Sequence, residues 1–384
     1  MKEIILNPTE NLYPFFPDLH KVKGLYIPQT TRDKDASVIF AGRDEYTRQI
    51  NKIYESWNKK LNSGNITISL FSGLHASIIL FMSIGTINSK VIILSPETGG
   101  HFATKNILSR LGYNVFQFPI DYKNNCIDID KSIAFANNIN PEFVFIARSN
   151  SMQYEDFSWL NKIKCNPLKI FDASQYLTGI LTGKYMSPYS MGFEIIITSL
   201  HKDFPGTQQA LCAFSKRATN NGLDKIVMKE FSKYISSIHP LEIFSSDYYI
   251  NNFEKLLKYE EKKTENAKAL YNALKEQGLF LHDKTFDNTT TQQIWVKCAS
   301  KDAAYIMFKQ LESLGIMLNY MELPYRLGYG LRIGTGAATL QGLEPQNCRE
   351  LASYIQKCNE TLDGFSLQCL REDVQAFLSE FIKE

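Results

Sequence analysis

Seven short runs of β-branched and aromatic residues lie at 66–70, 91–94, 114–118, 143–146, 168–171, 195–198 and 211–214, with stretches of helical spacing between them. Several are near-continuous Ile, Val, Leu and Phe, the composition of strands buried on both faces. Strands that alternate with helices predict an α/β fold, a mostly parallel sheet with helices on both faces. Past residue 290 the character changes. Runs 293–296, 316–318 and 331–333 read as strands, and 302–314 and 347–358 as helices, the first closed by Gly315 at a C-cap. That is a smaller α+β domain. A long helical pattern after Tyr248, through Phe253, Leu256, Leu257, Tyr259 and Leu274, leads into it and ends near Gly278. At the other end, Pro8, Pro14, Pro17 and Pro28 break any helix. Helical spacing begins at Asp44, with Tyr46, Ile50, Ile53, Tyr54 and Trp57. The expected organisation is an arm at 1–42, a large domain at 43–275 and a small domain at 276–384.

Composition excludes several classes. Lys and Arg number 42 against 40 Asp and Glu in 384 residues, a net charge of +2. Nucleic-acid binding would show as a strong basic bias, so no nucleic-acid partner is expected. The seven cysteines form no CxxC pair, which argues against a zinc cluster or a disulfide framework. The first residues make a poor signal peptide, and no apolar run reaches the roughly 18 residues of a membrane helix. A cytoplasmic protein with no membrane partner is expected.

Five places carry candidate chemistry. Lys202 follows the run at 195–198, and ligands collect beyond the carboxyl ends of strands in open α/β sheets. Asp172 ends the run before it, either as a cap for the next segment or as a site carboxylate. A lysine and a carboxylate at two consecutive strand ends match the needs of a pyridoxal ring, which takes a lysine at its aldehyde and an acid at its ring nitrogen. Ser72-Gly73, between a strand and a helix, is a plain N-cap or a phosphate turn. Gly99-Gly100-His101 is a turn with a surface histidine, or a close backbone approach with a ring that stacks on a ligand. Arg332, inside an apolar strand, needs an anionic partner: a structural acid or a substrate carboxylate gripped at two points.

Together these pieces resemble the serine hydroxymethyltransferase branch of fold-type-I pyridoxal-phosphate enzymes, over most of the chain and in order. Asn7-Pro8-Thr9-Glu10-Asn11 looks like that family's N-terminal Ala-Ser-Glu-Asn segment, and Ser72-Gly73 with Ala76 like its phosphate turn. Gly99-Gly100-His101 matches its Gly-Gly-His, Thr198 with His201-Lys202 its Thr-Thr-His-Lys, and Gly330–Thr335 its Gly-Leu-Arg-Ile-Gly-Thr. The resemblance implies pyridoxal 5'-phosphate on Lys202, Asp172 at the ring nitrogen, His101 over the ring, and Arg332 with Thr9 on an amino-acid carboxylate. His201 joins the catalytic candidates. Ser72, Gly73, Leu74, Ser149, Ser174, Gln175 and Ser199 complete the implied cofactor contacts. A homodimer is implied as well.

The departures are specific. Leu74 replaces the second Ser of the phosphate turn, and Gln175 replaces a histidine after the aspartate. Gly206-Thr207-Gln208-Gln209-Ala210 replaces a glycine- and arginine-rich stretch. The folate-serving glutamate falls near Arg32, the nearby tyrosine becomes Phe40, and a folate-contacting asparagine becomes Met321. The cofactor site is retained and the folate apparatus is dismantled. The reaction expected is aldol or transaldol chemistry on a β-hydroxy amino acid, with glycine as the carried fragment and an aldehyde as the second substrate. Lys202, His201 or a water would move the proton. Transamination with the same residues is the alternative, decarboxylation a further variant, and a non-catalytic cofactor-binding relative a minor one.

Overall fold

The computed structural model describes residues 1–9, 43–235, 240–279 and 289–382. The seven runs all form strands of one sheet: β1 (Asn65–Leu70), β2 (Lys90–Ile93), β3 (Asn114–Gln117), β4 (Phe143–Ala147), β5 (Leu168–Asp172), β6 (Ile195–Ser199) and β7 (Ala210–Phe214). Their order across the sheet is β1-β7-β6-β5-β4-β2-β3. β7 runs antiparallel to both neighbours, and the pairs on the other side are parallel. β4, β6 and β7 are buried at every residue, which is why they read as unbroken apolar runs. One core includes Ile92, Val144, Ile146, Phe171 and Ile196, and another Ile93, Phe143, Phe145, Ile170 and Ile197, so alternate residues of the same strands serve the two faces.

A third core gathers the C-terminal region around a three-stranded antiparallel sheet: β8 (Gln293–Lys297), β9 (Asn319–Leu323) and β10 (Gly328–Gly334), in the order β8-β10-β9. Ile4–Ile5, inside the segment expected to be irregular, pairs in parallel with Ile316–Met317. Ile4 and Leu6 are fully buried in this third core, and that burial outweighs the intrinsic irregularity of the proline-rich start. The helical pattern expected from Tyr248 to Gly278 is two helices, Pro240–Asn251 and Phe253–Glu276, broken at Asn252, whose φ of −106° and ψ of 51° are not helical. The second helix carries Leu256 and Tyr259 into the core under the large sheet, and Leu270, Tyr271 and Leu274 into the third core. A strand at Asn319–Leu323 and a helix at Gly364–Phe381 were not foreseen.

The sheet direction places the chemistry. β1, β2, β4, β5 and β6 all run the same way, so the residues that follow them gather on one edge.

Candidate active site

The segment after β6 brings Lys202 to that edge, and Phe204 fastens it. Phe204 is fully buried, with its ring 5.2 Å from Trp57 and 6.0 Å from Tyr249. Lys202 is partly buried, and burial lowers its pKa below the usual lysine value; nearby Asp172 opposes the shift and Arg332 adds to it. A lysine held this way presents more free amine than a surface lysine at the same pH.

Asp172 ends β5 one strand away. Its Oδ1 accepts from Ser174 N at 2.9 Å and Ser174 Oγ at 2.5 Å. Ser174 Oγ in turn accepts from Ser199 N at 2.8 Å and lies 3.2 Å from Ser199 Oγ. These two serines thus lock the ends of β5 and β6 together. Beside them the Gly73–Ile84 helix begins, with Ser72 as N-cap accepting from His75 N at 3.1 Å. A Cβ on Gly73 would stand 2.5 Å from Ser199 Oγ, so only glycine leaves this helix start its close approach. Leu74, at 43 % exposure, and Ser77 follow along the rim.

His101 arrives from the β2 side. Gly99, at φ +82°, turns the chain so tightly that a Cβ there would meet Asn150 O at 2.0 Å. Gly99 O accepts from Ser149 N and Asn150 N at 2.8 and 2.9 Å, and His101 N donates to Ala147 O at 2.8 Å. The segment is thereby stapled to the end of β4. Burial lowers the His101 pKa, with Asp172 raising it and Lys202 lowering it, so the ring is mainly neutral at pH 7 and responds to both charges.

Arg332 comes from β10, directly opposite Asn319 of β9. It is 9 % exposed. Nε and Nη2 donate to Asn319 Oδ1 at 3.2 and 2.8 Å, and Nη1 donates to Asn150 Oδ1. Burial lowers its pKa to about 10. Among the described residues no carboxylate pairs with it. Of the five N–H donors of a guanidinium, three are used, which leaves a two-pronged donor for a ligand.

Two cavities meet here, and Lys202 and His101 line both. The smaller also touches Gly73, Leu74, Ser77 and Asp172. The larger encloses about 820 Å³, with Thr9, Ser149, Gln175 and Arg332 in its wall. Thr9 is held by Asn7, whose Oδ1 accepts its N–H at 3.1 Å and its hydroxyl at 2.8 Å. Gln175 Oε1 accepts from Gln293 Nε2 at 3.1 Å. Ser174 and Ser199 stand behind the site through Asp172 and Gly73. Ser72 caps the adjoining helix without lining either cavity, and His201 lines neither. Among the described residues its Nδ1 is buried without a partner; burial and the neighbouring Lys202 lower its pKa to about 4, against a hydrogen bond with the Gln209 backbone.

Sequence reading missed the two amides that hold Arg332. Asn150 stands next to a candidate, Ser149, and shares its strand-end signal. Asn319 is apparent only through the pairing of β9 with β10. It also missed the outer wall: Glu97, Phe102, Tyr320 and Arg326, beside Met321. A further guanidinium ties this wall down. Buried Arg148 pairs with Glu155 at 2.6 Å and donates from Nη1 to Tyr325 Oη at 3.1 Å and to the Thr98 carbonyl. Tyr325 and Arg326 are both left-handed, at φ +59° and +60°. Arg32 and Phe40, from the folate comparison, lie outside the described residues.

A model of the serine hydroxymethyltransferase family matches residues 43–355. Serine hydroxymethyltransferase from Pyrococcus furiosus is 26% identical over 345 residues, covering 86% of this chain and 80% of that protein. An L-threonine:uridine-5'-aldehyde transaldolase from Streptomyces is 27% identical over 305 residues, covering 76% of this chain and 69% of that one. The crystal structure of an L-threonine transaldolase from Pseudomonas fluorescens superposes with a TM-score of 0.86, covering 99% of this chain and 88% of that one at 19% identity, a likeness of fold. The chain therefore belongs to the serine hydroxymethyltransferase family, as a diverged fold-type-I pyridoxal-phosphate enzyme of the transferase or aldolase type.

Proposed function

We propose that this enzyme cleaves and forms the Cα–Cβ bond of β-hydroxy amino acids without folate, carrying a glycine fragment to an aldehyde. The observation that carries the reading is Arg332: a buried guanidinium with no acid partner among the described residues, on a cavity wall shared with Lys202. The residues fit pyridoxal phosphate. Lys202 supplies a depressed amine, Asp172 a serine-fixed carboxylate for the ring nitrogen, and Gly73 a helix start stripped of its Cβ for the phosphate. When bound, the cofactor supplies an electron sink for the pair released at Cα.

The chain's own residues do the rest. Arg332 and Thr9 hold the substrate carboxylate and fix which bond at Cα is aligned for cleavage. His101, its pKa lowered by burial and its backbone stapled to β4, would cover one face of the ring. Lys202 is among the residues that line both cavities and His201 lines neither, so we assign Lys202 rather than His201 to take the proton from the β-hydroxyl and return one at Cα. The larger cavity, about 820 Å³, has to take the cofactor as well as the amino acid, and its size is within the range of small-molecule sites. Met321 in its wall, where the family resemblance expects a folate-contacting asparagine, supports a folate-free reaction. The name of the Streptomyces relative points the same way. A homodimer in the cytosol completes the reading.

Visible absorbance of the purified protein during titration with glycine and L-threonine, with Lys202→Ala alongside, tests it. The expected result is a cofactor band in wild type only, a longer-wavelength band on adding glycine, and acetaldehyde released from L-threonine without folate. A cofactor converted to its amine form on turnover would favour transamination. Wild-type protein that takes up no cofactor would overturn the reading.

A further inference from the structure

Beneath Lys202 lies a cluster of charges that the mechanism does not use. Asp203, the next residue, is 1% exposed, Lys263 1% and Glu260 2%. Lys263 Nζ lies 2.5 Å from Asp203 Oδ1 and 2.5 Å from Glu260 Oε2, and donates to Thr178 Oγ1 at 2.7 Å. Asp203 Oδ2 accepts from Thr178 N at 2.7 Å, and Asp203 N donates to Ser174 O at 3.3 Å. Lys184, 3.5 Å from Glu260, balances the cluster: two acids and two bases. Burial acts against the Lys263 ammonium, yet Asp203 and Glu260 outweigh it and keep the group charged.

Buried ion pairs are poor sources of stability, because desolvation offsets their attraction. Their geometry is nevertheless rigid, and this one joins three parts of the site. Asp203 is covalently next to Lys202 and hydrogen-bonded to the segment after Asp172. Lys263 sits on the Phe253–Glu276 helix, and its main-chain oxygen accepts from Thr335 Oγ1 at 2.9 Å, three residues past Arg332.

We infer that Lys263 is a positioning residue: through Asp203 it sets Lys202, and through its carbonyl and Thr335 it sets the Arg332 strand, so that amine and carboxylate grip keep one spacing. The inference rests on the function proposed above. It predicts a split in kinetics, because replacing the Lys263 side chain frees the lysine loop while the main-chain bond to Thr335 survives.

The test is the double variant Asp203→Asn/Lys263→Met, purified with cofactor. It removes one acid and one base together and leaves Glu260 with Lys184. The expected result is stoichiometric cofactor, KM for the amino acid within about threefold of wild type, kcat lower by about tenfold or more, and weakened visible circular dichroism of the cofactor. Asp203→Asn alone is isosteric and keeps the Lys263–Glu260 pair; it should lower kcat by about threefold with the same spectroscopic sign. Folded variants with wild-type kcat and circular dichroism would overturn the inference, as would a kcat loss matched by an equal rise in KM. Wild-type protein that binds no cofactor would defeat the underlying reading instead, so the two failures are distinct.

Discussion

Replacing Arg332 by lysine keeps a positive charge and removes the fork. The guanidinium spends one N–H on Asn150 and two on Asn319, leaving two for a carboxylate. A lysine ammonium at that place has three donors on one atom. With one turned to either asparagine, it meets a single carboxylate oxygen well. A hydrogen bond to a charged group contributes about 1.5–3 kcal/mol. Loss of one therefore costs about 2 kcal/mol, close to thirtyfold in kcat/KM. Arg332→Met loses both bonds and the charge, about 4 kcal/mol, near a thousandfold. Steady-state cleavage of L-threonine, with acetaldehyde followed by a coupled reductase, reads both variants. Thermal unfolding guards against a merely misfolded protein. A uniform binding role shows as a KM effect, and a grip that tightens in the transition state shows as a kcat effect. If folded Arg332→Met kept kcat/KM within threefold, the substrate carboxylate would bind elsewhere and the argument from the unpaired guanidinium would fail.

Other outcomes follow from the same geometry. Because the Lys202 pKa is lowered, the rate at which apoenzyme captures cofactor should rise with pH to a midpoint below the usual lysine value. Asp172→Asn should move that midpoint down and Arg332→Met should move it up, as stopped-flow absorbance would show. For His201, whose folded pKa of about 4 lies below its unfolded 6.5, the unfolded state binds more protons between those values. Stability should therefore fall as pH drops from about 6.5 towards 4, and His201→Asn should flatten that slope in a melting series; an unchanged slope would refute it. Gly73→Ala forces a Cβ to within 2.5 Å of Ser199 Oγ; overpacking of this kind costs about 1–3 kcal/mol. Equilibrium dialysis should show cofactor retention falling at least about tenfold, and affinity within twofold of wild type would remove Gly73 from the cradle.

Most of the seven strands were legible because burial on both faces leaves a continuous apolar record; β3, at the sheet edge, has no fully buried residue and showed only as Val115 and Phe116 in a short run. Strand direction leaves none: Leu211–Phe214 reads like its neighbours, yet β7 runs the opposite way, and pairing decided it. Lys202, Asp172 and Arg332 were legible as polar residues where apolar runs end or are interrupted, and His101 by the two glycines before it. Asn319 was not, because its meaning comes from lying across from Arg332 in a register no local pattern states. β9 itself, Asn-Tyr-Met-Glu-Leu, is mostly half-buried and lacks the apolar density of a core strand. The buried place of Ile4–Leu6 was hidden in the same way, since its partners lie some three hundred residues on. Lys263 was hidden among surface-like charges; Glu260, Glu261, Lys262 and Lys263 look alike in sequence, and only helix phase buries the first and last of them.

Arg148 gives the outer wall a property that matters beyond this reaction. One side chain anchors the turn before His101 and the left-handed pair Tyr325–Arg326, so the mouth of the cavity is framed from behind. Tyr320 and Met321 stand beside that frame, while Glu97 and Arg326 pair across it at 3.7 Å. Selection, natural or in the laboratory, is thus free to rewrite which molecules are admitted while the bond-breaking machinery stays in register. A library confined to Tyr320 and Met321 would explore new products on an intact catalyst.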